Sequence, residues 1–531
     1  MRTLRFLLQS AGPLALLLGP LGFASAGFNA GLMATIHRAL TERQLGHDVV
    51  LAFIGFGLGR ALSGYLSTVL LGNHATKTVT ELRRDIIARL PTVPYRLFER
   101  VGAGRVHAAL TQDLIVLESA LSSVPTAVTS AAMLVGGAAY LAYLNPVLFL
   151  GCSALVLPCF FVFRLAARHA DAAYSLQRAA YDRLYHHFGA LTQGMKELKL
   201  HAARRLSFLE GPVRETTNTL REQDVASRSR YALASVVNQA LVLGMLATVL
   251  FLVPQGSALR TQVGSGYVLV GLYLMSPLAA LSRMWPTFRA AEFAMQSLQD
   301  LGIRLQSAQD EASADPSIQP GVTRIELHSA THRYDDERNF VLGPISLQLV
   351  PGEVVFVVGG NGSGKTTLGR LLAGLYEPSS GELLWDGQLV DAQHRDAYRQ
   401  LWSAVFSDPY LFDRLYGLDP TNLEQRATQL LSKLQLTGIV RVTDGTFSSL
   451  EVSQGQRKRL GLFVALLEDR PLYLFDEWAA DQDPQWKQTF YRELLPELRA
   501  RGKGVVVITH DDRYFDAADR LLVLHDGQLD A

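Results

Sequence analysis

Six apolar stretches, each long enough to cross a bilayer, fall within the first 285 residues and restrict the fold more than any other feature of the chain. A spanning helix needs about 20 predominantly apolar residues. Such stretches cover Phe6–Ile36, Val49–Gly72, Leu121–Tyr143, Val147–Ala167, Tyr231–Val253 and Gly264–Trp285. Backbone groups inside a bilayer have no water to bond, so these segments are predicted to be helices. Mean hydropathy over the whole chain is +0.14; the apolar excess lies in this part. Pro13 and Pro20 interrupt the first stretch, where a kink is expected. Its start imitates a secretory signal, with Arg2 and Arg5 before an apolar run and Ala24-Ser25-Ala26 after it. Apolar sequence continues to Ile36, so it is read as a retained span.

Lysine and arginine set the orientation. Asn73–Ala120 carries seven of them and Arg168–Arg230 eleven. Thr35–Asp48 has only Arg38 and Arg43, Leu144–Pro146 has none, and Pro254–Val263 has only Arg260. The two long segments and both termini are therefore predicted to face the cytoplasm. They are long enough for helices that continue below the bilayer towards a cytoplasmic domain. A net charge of +1 gives no basic surface for nucleic acid. The two cysteines, Cys152 and Cys159, lie in one apolar run and read as small membrane-helix residues, not as a disulfide or metal site.

Arg60 stands at mid-span in the second stretch. A charge there costs about 3 kcal/mol or more unless it meets water or a partner. No span offers an acidic residue at similar depth. Two readings stay open. Arg60 lines a watery pathway for cargo with acidic or carbonyl groups, or it is structural, bonded to helix carbonyls or reaching outward. Asn29, Asn238 and Gln239 are further candidates for a cavity lining.

The chain divides into residues 1–305 with the spans, a polar Ser/Asp/Pro linker over 306–321, and an α/β domain over 322–531. Strand alternation begins at Thr323–Leu327. "EVVFVVGG" then reads as a buried strand feeding a glycine loop, and "TTLGRLLAGLY" as the helix after it. Gly359-x4-Gly364-Lys365-Thr366 in that setting is a phosphate-binding loop. Backbone N–H groups of Gly359, Asn361, Gly362, Ser363 and Gly364 would curl around phosphate oxygens, and the helix from Lys365 adds positive potential. Lys365 would reach the β- and γ-phosphates, and Thr366 would offer its hydroxyl to Mg²⁺, with Thr367 beside it. "PLYLFDE" is predicted to end a buried strand beside this loop, with Asp476 holding Mg²⁺ through water and Glu477 polarising the attacking water. "GVVVITH" ends at His510, which would reach the γ-phosphate.

"VSQGQRKRL" resembles the signature sequence of ATP-binding-cassette (ABC) proteins, with Ser453, Gly455 and Gln456 matching and Val452 and Gln454 departing. Tyr334 falls where that family places an aromatic on adenine, and Asp483 where it places its D-loop aspartate. Leu97–Asp113 and Gly194–Leu200 are similar to the cytoplasmic loops of ABC exporters. The resemblance covers nearly the whole chain. It implies a six-helix, all-α transmembrane domain of the type IV exporter kind fused to an α/β P-loop nucleotide-binding domain, with ATP and Mg²⁺ as ligands. "FDEWAADQDP" followed by "THDDRYFDAADR", together with "AVFSDPYLF", resembles the cyclic-peptide export group, which serves syringomycin-type lipopeptides, the pyoverdine precursor and a lasso-peptide microcin. One departure matters: Ser407 and Asp408 stand where the family's Q-loop glutamine is usual. Ser407 is too short for that role, so Asp408 or a water would substitute.

One P-loop and one signature per chain imply two nucleotide sites only in a pair. A two-fold homodimer is the simplest closure, with a heterologous partner as the alternative. The implied function is ATP-driven export of a cyclic or non-ribosomal peptide, or a siderophore precursor, across the bacterial inner membrane. The partners are a second copy, lipid and cargo, without nucleic acid. Lipid flipping or multidrug export is the alternative within this architecture, and an ATP-gated regulator or channel is the alternative from another class. With the first span starting so early, no cargo-cleaving peptidase segment is expected.

Overall fold

The computed structural model describes residues 15–41, 46–154, 176–177, 179–181, 183–252, 258–307, 321–334 and 340–530. Cys159 and nearly all of the predicted linker lie outside them. Contacts divide the chain into two compact units, residues 1–86 with 104–300, and residues 87–103 with 301–531.

The helices α1 (Ala15–Thr41), α2 (His47–Arg89), α3 (Tyr95–Val101), α4 (Ala103–Leu144) and α5 (Pro146–Ala154) come first. After them come α6 (Met195–Leu200), α7 (Arg214–Ala247) and α8 (Ala258–Ser307). Among the described residues, α2, α4 and α8 are long and apolar enough to cross a membrane. The fourth predicted span continues into residues outside the description, as do the ends of the first and fifth.

The first unit is all-helical, and its helices meet where glycine removes a side chain. A Cβ on Gly59 of α2 would lie 2.7 Å from the Phe28 ring of α1, and one on Gly31 of α1 2.6 Å from the Phe56 ring of α2. A Cβ on Gly137 of α4 would lie 2.6 Å from Leu274 of α8. In a bilayer such close approach replaces the hydrophobic drive that water supplies elsewhere. The short turn after α4 is closed by Asn145, whose Oδ1 accepts from Val147 N and Leu148 N at 3.0 Å, capping α5. The fully buried Tyr267 of α8 places its hydroxyl 2.8 Å from Leu141 O and 2.9 Å from Asn145 O, at the end of α4 where carbonyls lack helical partners. His37 joins three helices, with Nδ1 2.9 Å from Tyr140 Oη and Nε2 3.3 Å from Ser265 Oγ.

The second unit holds two large sheets. An antiparallel sheet, ordered β2-β1-β4-β5, comprises β1 (Ile325–Arg333), β2 (Val341–Leu349), β4 (Ser380–Trp385) and β5 (Gln388–Leu389). The other sheet runs β12-β11-β3-β10-β9-β6, parallel except for β12. Its strands are β3 (Val354–Gly359), β6 (Trp402–Val405), β9 (Leu472–Asp476), β10 (Gly504–Ile508), β11 (Arg520–His525) and β12 (Gln528–Leu529). A hairpin joins β7 (Val442–Thr443) to β8 (Thr446–Phe447). The helices that matter for the site are α9 (Lys365–Leu372), α10 (Leu423–Lys433) and α11 (Gln454–Glu468).

Residues of β3, β9 and β10 are buried on both faces, which explains their unbroken apolar runs. β1 runs on to Arg333, well past the predicted Leu327, because a bulge at Ser329, with φ +45°, resets the alternation. The end of β9 does lie beside the glycine loop, with Asp476 Oδ1 3.3 Å from Thr366 Oγ1, but the sheet order itself was not predicted. β9 is not beside β3; β10 lies between them. Chain order does not reveal this, because each parallel neighbour is reached by a crossover.

Candidate functional site

The glycine loop leaves β3 in a conformation that only glycine holds easily. Gly359, Gly362 and Gly364 have φ of +150°, +80° and +103°. A Cβ on Gly359 would overlap the Leu524 carbonyl oxygen of β11 and lie 2.9 Å from Ser363 Oγ. A Cβ on Gly364 would lie 2.8 Å from the Phe340 ring. Replacing Gly359 by Ala is therefore expected to destabilise this unit by about 2 kcal/mol or more, since the obstacle is backbone and cannot turn aside. Thermal unfolding of the purified protein checks this; an unchanged midpoint would refute it.

Lys365, the first residue of α9, is buried and folds back on the loop, donating to Gly359 O at 3.0 Å and Gly360 O at 2.8 Å. Burial pushes its amine below the usual lysine range, against the pull of Glu477 and Asp476. These neutral carbonyls are weak partners for an ammonium, which a phosphate would replace with charge-assisted bonds. Thr366 donates to Asp476 Oδ1 at 3.3 Å. Asp476 is fully buried, and its Oδ2 has no partner. Burial pushes its carboxyl above the ordinary range, opposed by the Thr366 bond. A desolvated carboxylate oxygen beside a hydroxyl is an oxygen donor pair suited to a hard divalent cation. Among the described residues no group of three or more His, Cys, Asp or Glu could hold a metal alone. Such a cation would need further oxygens from phosphate and water.

Glu477 follows in the left-handed region, φ +50°. Its N–H donates to Ile508 O of β10 at 3.0 Å, and its carbonyl accepts from the buried Lys458 Nζ of α11 at 3.0 Å. The backbone is thus clamped from both sides while the carboxylate stays partly open. His510 Nε2 lies 2.9 Å from Glu477 Oε1, so the two residues predicted for chemistry meet across β9 and β10. Trp478 anchors the turn from beneath, fully buried, donating through Nε1 to Lys458 O at 2.7 Å.

Lys365, Thr366 and Glu477 open on a cleft of about 860 Å³, while Gly359, Ser363, Asp476 and His510 are not among its lining residues. Of the sequence-predicted residues, Tyr334, Asn361, Gly362, Gly364, Lys365, Thr366, Thr367 and Glu477 line it. Tyr334 places its hydroxyl 2.9 Å from Thr367 Oγ1, next to Phe340. Sequence reasoning missed Arg96, Glu99 and Arg100 of α3, with Arg370 and Tyr376, which also line the cleft. Glu99 accepts from Arg370 Nη1 at 3.2 Å and from the Tyr376 hydroxyl at 2.7 Å, and Arg96 donates to Arg333 O at 2.6 Å. Burial, then the Glu99 bond, pushes the Tyr376 phenol well up. The helical stretch around Leu97 carried the family resemblance, but only tertiary packing assigns it to this wall.

The signature residues stand apart from the cleft. Ser453 caps α11, its Oγ accepting from Gln456 N at 3.3 Å while Gln456 Oε1 accepts from Ser453 N at 2.9 Å. Gly455 O accepts from Gln482 at 3.1 Å. Asp483 caps the next helix, accepting from Trp486 N at 2.9 Å. Ser407 and Asp408 are exposed and do not line the cleft.

Below His510, Asp511 accepts from Arg513 at 2.9 Å and from Lys487 at 3.1 Å, and these partners hold its carboxyl below the usual range despite burial. A depressed folded value contributes stability above the unfolded carboxyl value of 3.8 and loses it as pH falls through the folded value. Asp511→Asn is expected to cost about 1–2 kcal/mol at pH 7. The gap from wild type should close on acidification below that value; a pH-independent gap in thermal unfolding would refute the charge argument.

Comparisons with known proteins bear on the family and the fold. The family model for the ABC transporter matches residues 342–480, and that for the ABC transporter transmembrane region matches residues 15–276. The chain is 34% identical over 522 residues to ATP-binding protein SyrD of Pseudomonas syringae pv. syringae, covering 95% of this chain and 92% of that protein. It is 26% identical over 506 residues to the ATP-dependent lipid A-core flippase of Chromobacterium violaceum, covering 91% and 84%. Among solved structures, a bacterial Atm1-family ABC exporter with ATP bound superposes with a TM-score of 0.78 over 99% of this chain and 95% of that one, at 19% identity.

Proposed function

The chain belongs to the ABC transporter family, and from that premise we propose that it exports a cyclic or non-ribosomal peptide, or a siderophore precursor, across a bacterial inner membrane as a homodimer. Its family activity is that of a multi-pass exporter whose nucleotide-binding domain binds and hydrolyses ATP. Residues 1–305 form the membrane domain in this reading, 306–321 the linker and 322–531 the cytoplasmic ATPase. The observation that carries the cargo is the 34% identity to SyrD against 26% to the flippase. The resemblance of Phe475–Pro484 to the cyclic-peptide export group points the same way.

The chemistry follows from the cleft. The loop amides and Lys365 grip the β- and γ-phosphates, and Tyr334 with Phe340 offers apolar surface to the base. Thr366 and Asp476 would hold Mg²⁺, whose charge neutralises the phosphate oxygens when bound. Glu477 orients the attacking water and accepts its proton, while His510 fixes the carboxylate. Water oxygen bonds to the γ-phosphorus, the bond to the bridging oxygen breaks, and ADP and phosphate leave. Ser453, Gly455 and Gln456 do not line their own cleft, so in this reading a second copy supplies them. ATP favours the closed pair and hydrolysis releases it, which biases the membrane helices between two arrangements.

Lipid flipping is the second reading, favoured by the flippase similarity. Inverted vesicles containing the protein decide between them. ATP-dependent uptake of a labelled cyclic lipopeptide, absent for labelled lipid A, is expected; the reverse pattern would transfer the assignment to lipid.

A further inference from the structure

Arg60 lies 13 residues into α2, about 20 Å along a helix that must cross about 30 Å of hydrocarbon. Its direction is readable from the helix itself. The exposed apolar side chains Leu51, Ile54, Leu58, Leu62, Tyr65 and Val69 recur at steps of three and four and form one stripe. Arg60 falls on the opposite face, in line with the buried Ser63, Ser67 and Leu71. It lies off that stripe and is half-buried, on a side that also carries the exposed Phe53. Its guanidinium carbon sits 5.6 Å from the centre of the Tyr273 ring of α8. The Tyr273 hydroxyl donates to Asn29 Oδ1 of α1, and Asn29 is buried. The glycine–phenylalanine contacts of α1 with α2 hold these residues at one level.

The electrostatic balance is incomplete. Among the described residues no carboxylate pairs with Arg60. None of the six spans contains Asp or Glu at all. A second identical copy would add none. A ring face offsets part of the cost of a half-buried cation, but does not supply the guanidinium N–H donors with an acceptor. We propose that Arg60, oriented by Tyr273 and Asn29, is the recognition point for an anionic group of the cargo, a carboxylate on the peptide. This rests on the peptide-export reading for the source of the anion, but not for the anion itself.

The test uses matched pairs of ligands on the full-length protein in nanodiscs. One pair is a cyclic lipopeptide bearing a single Asp and the same peptide bearing Asn. The other is lipid A with and without its phosphates. Wild type is expected to bind the Asp peptide about tenfold more tightly than the Asn peptide. Arg60→Gln brings that ratio to about one, Arg60→Lys keeps most of it, and Tyr273→Leu reduces it. Because the readout is a ratio within one preparation, general damage to the membrane domain does not imitate it. A charge-dependent ratio confined to lipid A, and lost in Arg60→Gln, keeps the anion site and removes the peptide. A ratio of one in wild type for both pairs, or a ratio that survives Arg60→Gln, overturns the proposal.

Discussion

Glu477→Gln will bind ATP as wild type does while turnover falls by at least about a hundredfold. The substitution keeps the size of the side chain. The position is held by backbone, through the Ile508 carbonyl and the Lys458 ammonium, so the carboxamide sits where the carboxylate did. It can still bond His510, which lies 2.9 Å from the present oxygen. What it cannot do is take a proton from water. The phosphate grip at Lys365 and the loop is untouched, so nucleotide should accumulate on a pair that does not reopen. Phosphate release and crosslinking of the closed dimer measure the two halves of this expectation. Near-normal release would remove Glu477 from the role of base.

Mixing two dead variants will restore ATPase activity. Lys365→Ala removes the buried ammonium that bridges to phosphate, and is expected to weaken nucleotide binding about tenfold to hundredfold. Ser453→Arg blocks the exposed end of α11 without touching the cleft. Each variant alone spoils both sites of a two-fold pair. In a mixed pair, the intact loop of one chain faces the intact signature of the other, so one site of two survives. Random pairing makes half of the dimers mixed, so activity should recover to about a quarter of wild type. Recovery requires co-expression or subunit exchange, and a tagged pull-down checks that mixing occurred. Inactive mixtures that contain mixed dimers would refute the composite site, and so would a single variant that stays active.

The candidate nucleotide-site residues could be proposed from the sequence because they are local in it. A glycine loop between an apolar strand and a helix carries its mechanism in consecutive residues. Gly359 to Thr367 therefore needed no tertiary information. Asp476 and Glu477 were readable for the same reason, at the end of an apolar strand. The place of that strand was not, since β10 enters between β9 and β3 from a later part of the chain. Glu99 and its bonds to Arg370 and Tyr376 were invisible for a stronger reason. The partners are more than 270 residues apart, and although each lies in a stretch with its own pattern, nothing in either pattern pairs them.

What sequence alone determined is set by composition and spacing. Long apolar runs imply membrane helices, the distribution of Lys and Arg predicts their orientation, and the phosphate loop and signature point to nucleotide chemistry. Tertiary structure decided which side chains face one another. It clamped Glu477 between β10 and α11, brought α3 to the wall of the cleft, and turned Arg60 towards Tyr273 and away from the lipid stripe. The physical reason is that a charge in the sequence has a sign and a depth but no direction. Direction arises only when helices and strands pack, and here packing points the half-buried Arg60 at the Tyr273 ring.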